Sequence, residues 1–415
     1  MKKTFITAIF TLLCLGVVAQ TEITDSIADD TLAADSLAAD STEQELAYPQ
    51  NIQVRLDKLM REPLLEISQL GLMVFDLDAD STVFAANSRQ TLRPASTMKL
   101  ITAITALDNL GGDYRFNTSL YYDGTIAERT LIGNIYCVGG MDPLFNNDDM
   151  NAFVESIVGM EIDTIRGYIV ADKSMKDTLR YGEGWCWDDD NYVLSPLLVG
   201  REDIFVATLK TRLAEAGICV DEAVDTIGTI PVGTYALCTR THTLDQVLMP
   251  MMKDSKNLYA ESMAYQIAAQ NGRMKASYKH AKTHMQKLIN RIGLRALDYR
   301  LADGSGLSLY NYVSAQLLVA LLRHAYRNSE IFIHLYPSLP IAGVDGTLAK
   351  RMRKSHAFDN VHAKTGTLTG VISLAGYCRA ANGHMLAFAI LNQGVLNAAR
   401  ARAFQDKVCE ALCCP

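Results

Sequence analysis

Two stretches at opposite ends of the chain carry the pattern of paired strands, and together they limit the fold more than anything else in the sequence. ISQLGLMVFDLDADSTVFAANS, residues 67–88, reads as two β-type runs joined by a polar turn around Asp78-Ala79-Asp80. VHAKTGTLTGVISLAGYCRAANGHMLAFAILNQG, residues 361–394, contains three apolar runs, the last two separated by Ala381-Asn382-Gly383, a strong short hairpin signal. Residues 397–413, NAARARAFQDKVCEALC, then form a closing amphipathic helix. The pattern predicts an α+β fold: an antiparallel sheet whose outer strands come from both ends of the chain, with helices beside it.

Between these ends the character of the sequence changes twice. KLITAITALDNL puts Leu100, Ile101, Ile104 and Leu107 at helical spacing, and Gly111-Gly112 ends that helix. Residues 113–235 are rich in short β-like runs (SLYYDG, LIGNIYCVGG, IRGYIVAD) broken by Gly, Asn and Asp. Helical periodicity returns over 241–293. The expected organisation is a main domain of residues 48–112 and 236–415, interrupted by a smaller β-rich module over 113–235.

The N-terminus stands apart from this body. MKKTFITAIFTLLCLGVVAQ has two lysines, an apolar middle too short to span a membrane, and small residues up to Ala19, the layout of a cleaved export signal over residues 1–19. Lipid anchoring at Cys14 is a weaker reading, because Thr11 stands where a lipobox prefers Leu. Residues 20–47 repeat A-(A/D)-D-(S/T) and carry eight acids with no Lys or Arg, so they are expected to form a disordered tether. The formal net charge is −7; without the two signal lysines and the eight tether acids the remainder carries −1. A nearly neutral body argues against nucleic acid as a partner. Eight of the nine cysteines lie beyond the signal, and none forms a C-x-x-C pair, which disfavours a zinc ribbon or a thioredoxin-type site. Export to the periplasm or cell envelope permits disulfides as extra staples, but their pairing cannot be read from the sequence.

The chemistry starts at PASTMKLITA, residues 94–103. Ser96 and Lys99 are one helical turn apart and share a face. A serine hydroxyl becomes a useful nucleophile when a neighbouring base takes its proton. A lysine can be that base if burial or nearby positive charge lowers its pKa. S-x-x-K alone arises often by chance, and an ordinary helix-surface pair would explain it. Two later stretches change the weighting. SKNLYAES supplies Ser255 and Asn257 at the turn before an apolar helix, and HAKTGTLTG supplies Lys364, Thr365, Gly366 and Thr367 on a predicted strand. Taken singly, Ser255 reads as a helix cap and Lys364 as a surface lysine. Gly366, without a side chain, is expected to let a substrate backbone approach the strand closely.

The order S-x-x-K, S-x-N, K-T-G is the signature of the serine penicillin-recognising enzymes. The flanking segments GGMDPL (139–144), GYIVADKS (167–174), GWCWDDD (184–190), DGSGLS (303–308) and AGVDGTL (342–348) make the chain resemble, from about residue 65 to 395, the D-alanyl-D-alanine carboxypeptidase/endopeptidases, the class C low-molecular-mass penicillin-binding proteins. The resemblance implies the penicillin-binding/β-lactamase-like transpeptidase fold with an insertion after the S-x-x-K helix. It also implies hydrolysis of the terminal D-Ala-D-Ala bond of peptidoglycan stem peptides, and of D,D-crosslinks, with β-lactam antibiotics as covalent inhibitors. Ser96 would be the nucleophile and Lys99 its base. Ser255 and Lys364 would relay a proton to the leaving amine, Asn257 would hold the acyl-side amide, and Thr365 and Thr367 would bind the substrate carboxylate and strand. Backbone N–H groups of Ser96 and Thr367 would form the oxyanion hole. No metal and no cofactor are implied.

Two flanking positions bear on the substrate. Family members commonly carry Arg after DGSGLS to grip a carboxylate on the third stem-peptide residue, where this sequence has Leu309. Asp142 matches the family acid that meets the amino group of the same side chain. A β-lactamase and a catalytically silent wall-binding scaffold are the alternatives. The first would need a dedicated deacylating base, which the sequence does not display; the second would usually have lost one of Ser96, Lys99, Asn257 or Lys364. His280 and His284 read as a helix-surface pair, Trp185 and Trp187 as packing residues, and DGSGLS as a structural turn near the cleft.

Overall fold

The computed structural model describes residues 46–189, 192–221 and 226–415. The export signal lies outside the described residues, as does the expected tether except for its last two positions.

The chain enters through α1 (Gln50–Leu59), crosses in the hairpin β1 (Gln69–Asp76) and β2 (Ser81–Ala86), and turns at Ala95–Thr97 into α2 (Met98–Leu110). Then come β3 (Arg115–Tyr122), β4 (Thr125–Ala127), β5 (Thr130–Ile132), β6 (Ile135–Val138), α3 (Asn147–Val158), β7 (Thr164–Arg166) and β8 (Ile169–Asp172). They are followed by α4 (Phe205–Glu215), β9 (Cys219–Val220), β10 (Thr226–Ile227) and β11 (Tyr235–Thr243). Helices α5 (Leu244–Lys253), α6 (Asn257–Ala268), α7 (Tyr278–Arg291), α8 (Ala315–Arg327) and α9 (Ser329–Ser338) lead to β12 (His362–Leu368), β13 (Val371–Arg379), β14 (Met385–Gln393) and α10 (Ala398–Cys413). No described helix is long and apolar enough to cross a membrane.

The two terminal hairpin patterns meet in one antiparallel five-stranded sheet of order β12-β13-β14-β1-β2. The apolar run of β14 is buried on both faces because alternate residues enter two different cores. Leu386, Phe388 and Ile390 pack with Leu72, Val74 and Leu374 and with Phe404, Val408 and Leu412 of α10. Ala387, Ala389 and Leu391 face α2 and the helices α5 to α8. Small residues on that second face let α8 lie close to the sheet. Edge strand β12 is thereby held beside the turn that opens α2, which is the relationship the site depends on.

Strands β3 to β11 make two further sheets, of order β10-β8-β6-β3-β11 and β4-β5-β7-β9. Their own core includes Leu120, Ile135, Phe153, Ile169, Phe205 and Leu209. Strand β11 pairs along β3 and runs to Thr243, so the second sheet extends eight residues past position 235 before α5 begins. Among the described residues no two cysteines form a disulfide, and Cys378, Cys409 and Cys413 are buried where β13 meets α10.

Candidate active site

Ser96 sits in a turn of 3₁₀ helix just ahead of α2, where Ala95 takes a left-handed φ of 47°. A non-glycine residue in that region is costly, about 1 kcal/mol, and is held only by its surroundings. Ser373 on β13 donates to the Pro94 carbonyl at 2.6 Å, as does Thr97 at 2.7 Å. A Cβ on Gly306 would lie 1.9 Å from the Ala95 carbonyl oxygen, so the segment 303–306 presses on the turn from the other side. One on Gly366 would lie 2.1 Å from Ser373 Oγ, 2.8 Å from the Pro94 oxygen and 2.9 Å from the Ser96 nitrogen. The bare face of Gly366 therefore admits the serine turn, a close approach that the expected substrate contact did not include.

Lys99 is fully buried and its Nζ is 3.0 Å from Ser96 Oγ, 2.8 Å from Asn257 Oδ1 and 2.8 Å from the carbonyl of Ser305. A neutral amine has two N–H donors and one lone pair. Asn257 and Ser305 accept the two donors, which leaves the lone pair to take the Ser96 hydroxyl. Burial pulls the Lys99 pKa down to about 7, against the charges of Asp303 and Glu261, which hold it up. Lys364 is also fully buried and donates to the Thr365 carbonyl at 2.9 Å; burial first, and the Lys99 charge second, push its pKa well below the ordinary value.

The acceptor for Lys99 at Ser305 is itself held by carboxylates. Glu261 on α6 accepts the backbone N–H of Gly304 at 3.0 Å and of Ser305 at 2.8 Å. Burial and the neighbouring Asp303 raise the Glu261 pKa to about 8. Asp303 gathers the rest of the loop, accepting from the Gly306 and Ser308 backbones, the Asn311 side chain and the Trp185 indole N–H. Glu261, Asp303 and the Ser305 carbonyl are therefore part of the site, whereas the sequence pattern of DGSGLS predicts only a structural turn beside it. The available signal was the pair of acids in AES and DGSG, both in segments that carried the resemblance.

The remaining expected residues fall as follows. Asn257 begins α6, and its amide nitrogen has no partner among the described residues. Ser255, two residues earlier, has a left-handed φ of 62° in the link between α5 and α6. Thr365 and Thr367 alternate with Lys364 and Gly366 along β12, and Thr365 Oγ1 meets Thr347 Oγ1 at 2.7 Å. Asp142 is not in this group as a free carboxylate. It is 1% exposed, and its two oxygens are occupied by the Leu144 N–H at 2.9 Å and by His242 Nδ1 at 2.6 Å. In this structure both oxygens of the acid expected to meet the substrate are held by internal partners. Leu309 is exposed, and the Arg93 side chain reaches its carbonyl through Nε at 3.0 Å.

The sites set aside in the sequence divide in the structure. His280 accepts the Ser277 N–H at the start of α7, and His284 lies 3.0 Å from Asn109 Oδ1, so the pair fastens a helix. Trp185 packs and bonds to Asp303, whereas Trp187 is 97% exposed, which corrects its reading as a packing residue.

This arrangement matches known proteins over nearly the whole described chain. A D-alanyl-D-alanine carboxypeptidase of Actinomadura sp. (strain R39) is 26% identical over 435 aligned positions, covering 82% of this chain and 80% of that protein. The D-alanyl-D-alanine carboxypeptidase DacB of Haemophilus influenzae is 24% identical, with 79% and 86% of the two chains covered. The crystal structure of penicillin binding protein 4 (dacB) from H. influenzae superposes with a TM-score of 0.77 at 23% identity, over 86% of this chain and 98% of that one, and so shares the fold. The family model of the D-Ala-D-Ala carboxypeptidase 3 (S13) peptidases matches residues 52–201 and 199–412, and so runs through the strands between α2 and α5 as well as the elements on either side of them. With a half-buried Ser96 beside the fully buried Lys99 inside that match, the chain is a serine-type peptidase belonging to the D-Ala-D-Ala carboxypeptidase 3 (S13) family.

Proposed function

We propose that the protein hydrolyses the terminal D-Ala-D-Ala bond of peptidoglycan stem peptides through an acyl-enzyme on Ser96. The observation that carries this reading is the fully buried Lys99 amine 3.0 Å from Ser96 Oγ, with its pKa near 7. Ser96 Oγ attacks the scissile carbonyl while Lys99 takes its proton. The oxyanion meets the backbone N–H groups of Ser96 and Thr367, donors on two segments that Gly366 lets lie against each other. Each such donor is worth about 3 kcal/mol. The C–N bond breaks as Ser255 and Lys364 pass a proton to the leaving amine. Water then hydrolyses the ester and regenerates the serine.

Asn257 divides its amide between two tasks: Oδ1 accepts from Lys99, and the free nitrogen donates to the acyl-side carbonyl of the substrate. Thr365 and Thr367 take the terminal carboxylate. Residues 48–112 and 236–415 are read as the peptidase domain, 113–235 as its insertion, and the compartment as the periplasm or cell envelope. Support for penicillin as a covalent inhibitor comes from the H. influenzae relative, solved with a β-lactam bound, at a TM-score of 0.69.

The test is labelling with a fluorescent penicillin, intact protein against Ser96→Ala, followed by assay of D-alanine release from stem peptides. A stable adduct that the substitution abolishes, with D-alanine released by the intact protein, is the expected result. Absence of any adduct would return the scaffold reading, and rapid penicillin turnover without one would return the β-lactamase.

A further inference from the structure

A threonine hydroxyl has one proton to give and two lone pairs with which to accept. Thr365 spends that proton inside the protein: its hydroxyl donates to Thr347 Oγ1 at 2.7 Å, and neither hydroxyl has another hydrogen bond among the described residues. An ionised carboxylate can only accept. For Thr365 to donate to one, it must give up its present bond, and Thr347 must turn its own proton towards Thr365. The two hydroxyls can exchange roles with no shift of their oxygens. The result is a chain of hydrogen bonds from Thr347 through Thr365 to the ligand, in which each bond strengthens the next.

Thr347 is exposed, yet its place is fixed from both sides. Leu348 is fully buried in the core that α10 covers. Asp345 accepts the Ile341 N–H at 2.8 Å and Lys253 Nζ at 2.6 Å, and Lys253 also donates to the Leu339 carbonyl at 2.6 Å. Gly346, with a φ of 53°, lies so close to α5 that a Cβ would stand 2.7 Å from the Lys253 carbonyl oxygen. Lys253 ends α5, two positions before Ser255. The segment 341–348 thus ties the link that carries Ser255 to the strand that carries Thr365. A hydroxyl presented from such a segment is in place before a substrate arrives, so little freedom is lost when the bond reverses. We propose that Thr347 is a positioning residue for carboxylate recognition: it accepts from Thr365 before substrate binds and donates to Thr365 when a peptide with a free C-terminal carboxylate enters. Preference for that carboxylate over a neutral end then depends on Thr347 acting through Thr365; this deepens the peptidase reading above and rests on it.

The experiment compares kcat/KM for a stem peptide ending in D-Ala-D-Ala and for the same peptide amidated at its C-terminus, in the intact protein, Thr347→Val and Thr347→Ser. The intact protein is expected to prefer the free acid. Thr347→Val keeps the shape but has no proton to donate, so the acid-to-amide ratio should fall about ten-fold, through KM more than kcat. Thr347→Ser restores the hydroxyl and should restore the ratio. An unchanged ratio in Thr347→Val, an equal loss on both peptides, a serine variant no better than the valine one, or an intact protein indifferent to the carboxylate overturns the role of Thr347 while leaving the peptidase reading in place. An intact protein that cleaves neither peptide and forms no adduct with penicillin overturns both.

Discussion

The carboxylate of Glu261 accepts the backbone N–H of Ser305 at 2.8 Å, and the carbonyl of the same residue accepts a hydrogen bond from Lys99 at 2.8 Å. A buried acid that never approaches the nucleophile thus fixes one of the two acceptors that orient its base. Glu261→Ala would leave buried Gly304 and Ser305 N–H groups without a partner, at a cost of about 1–3 kcal/mol each. Penicillin acylation is expected to fall at least about ten-fold through loss of the Lys99 orientation. Glu261→Gln keeps an oxygen acceptor in place and mimics the protonated acid, which Glu261 favours below pH 8. The glutamine variant should therefore recover most of the rate at pH 6.5. Equal loss in both variants, measured as acylation rate at that pH, would contradict the positioning role.

The same carboxyl predicts how stability responds to pH. Its folded pKa, about 8, is raised above the ordinary 4.5. Its contribution is fully present below about pH 4.5 and is lost as pH rises through 8. Denaturant unfolding of the intact protein and Glu261→Gln between pH 5 and 9 should show the variant gaining relative stability as pH rises. A difference that stays flat would place the Glu261 pKa elsewhere.

Lys99 acts in the opposite direction and on a different observable. The neutral amine is the base, and burial has brought its pKa to about 7. Acylation of Ser96 by a penicillin should rise with pH through 7 and level off above it, losing about ten-fold per unit on the acid side. A lysine at its ordinary value would give a rate still climbing at pH 9, which stopped-flow labelling from pH 5 to 9 would reveal.

Gly366 offers a test of how closely the strand must approach the serine. The methyl of Gly366→Ala would stand 2.8 Å from a carbonyl oxygen and 2.9 Å from the Ser96 nitrogen, both backbone atoms that cannot turn aside. Overpacking of this kind costs about 1–3 kcal/mol, and it also parts the two proposed oxyanion donors. Melting temperature and acylation rate should drop together; a variant with a lower melting temperature but full acylation would show that the strand can retreat without consequence.

What the sequence displays and what it hides follow from how far apart the partners lie. The hairpins at 67–88 and 371–394 are legible because turn residues and apolar alternation are local, and the meeting of the two hairpins follows from their shared need for a core. Ser96 and Lys99 are legible for the same reason, being three residues apart on one turn. Glu261 and Ser305 are 44 positions apart, and the group that meets Lys99 is a main-chain carbonyl, which no side-chain motif can advertise. Gly366 was readable as a close approach, but not as an approach to Pro94 and Ser96, because that requires the sheet order. Asp142 shows the limit of a motif match: the acid is where the pattern puts it, and a histidine 100 positions later has taken its carboxylate.

That histidine supplies the last prediction. Its hydrogen bond to Asp142 raises the His242 pKa above 6.5, with burial opposing. The pair's contribution to stability is then fully present below pH 6.5 and lost as pH rises through the elevated folded value. Asp142→Asn keeps the shape but removes the charge and one acceptor from a site 1% exposed. It should destabilise the fold by about 1–3 kcal/mol at pH 6, and by less at pH 9. If Asp142 instead served the substrate, the variant would keep the melting temperature of the intact protein at both pH values and show a raised KM for peptides with an amine on the third residue. Melting curves at pH 6 and 9, set beside KM for such a peptide, separate the two.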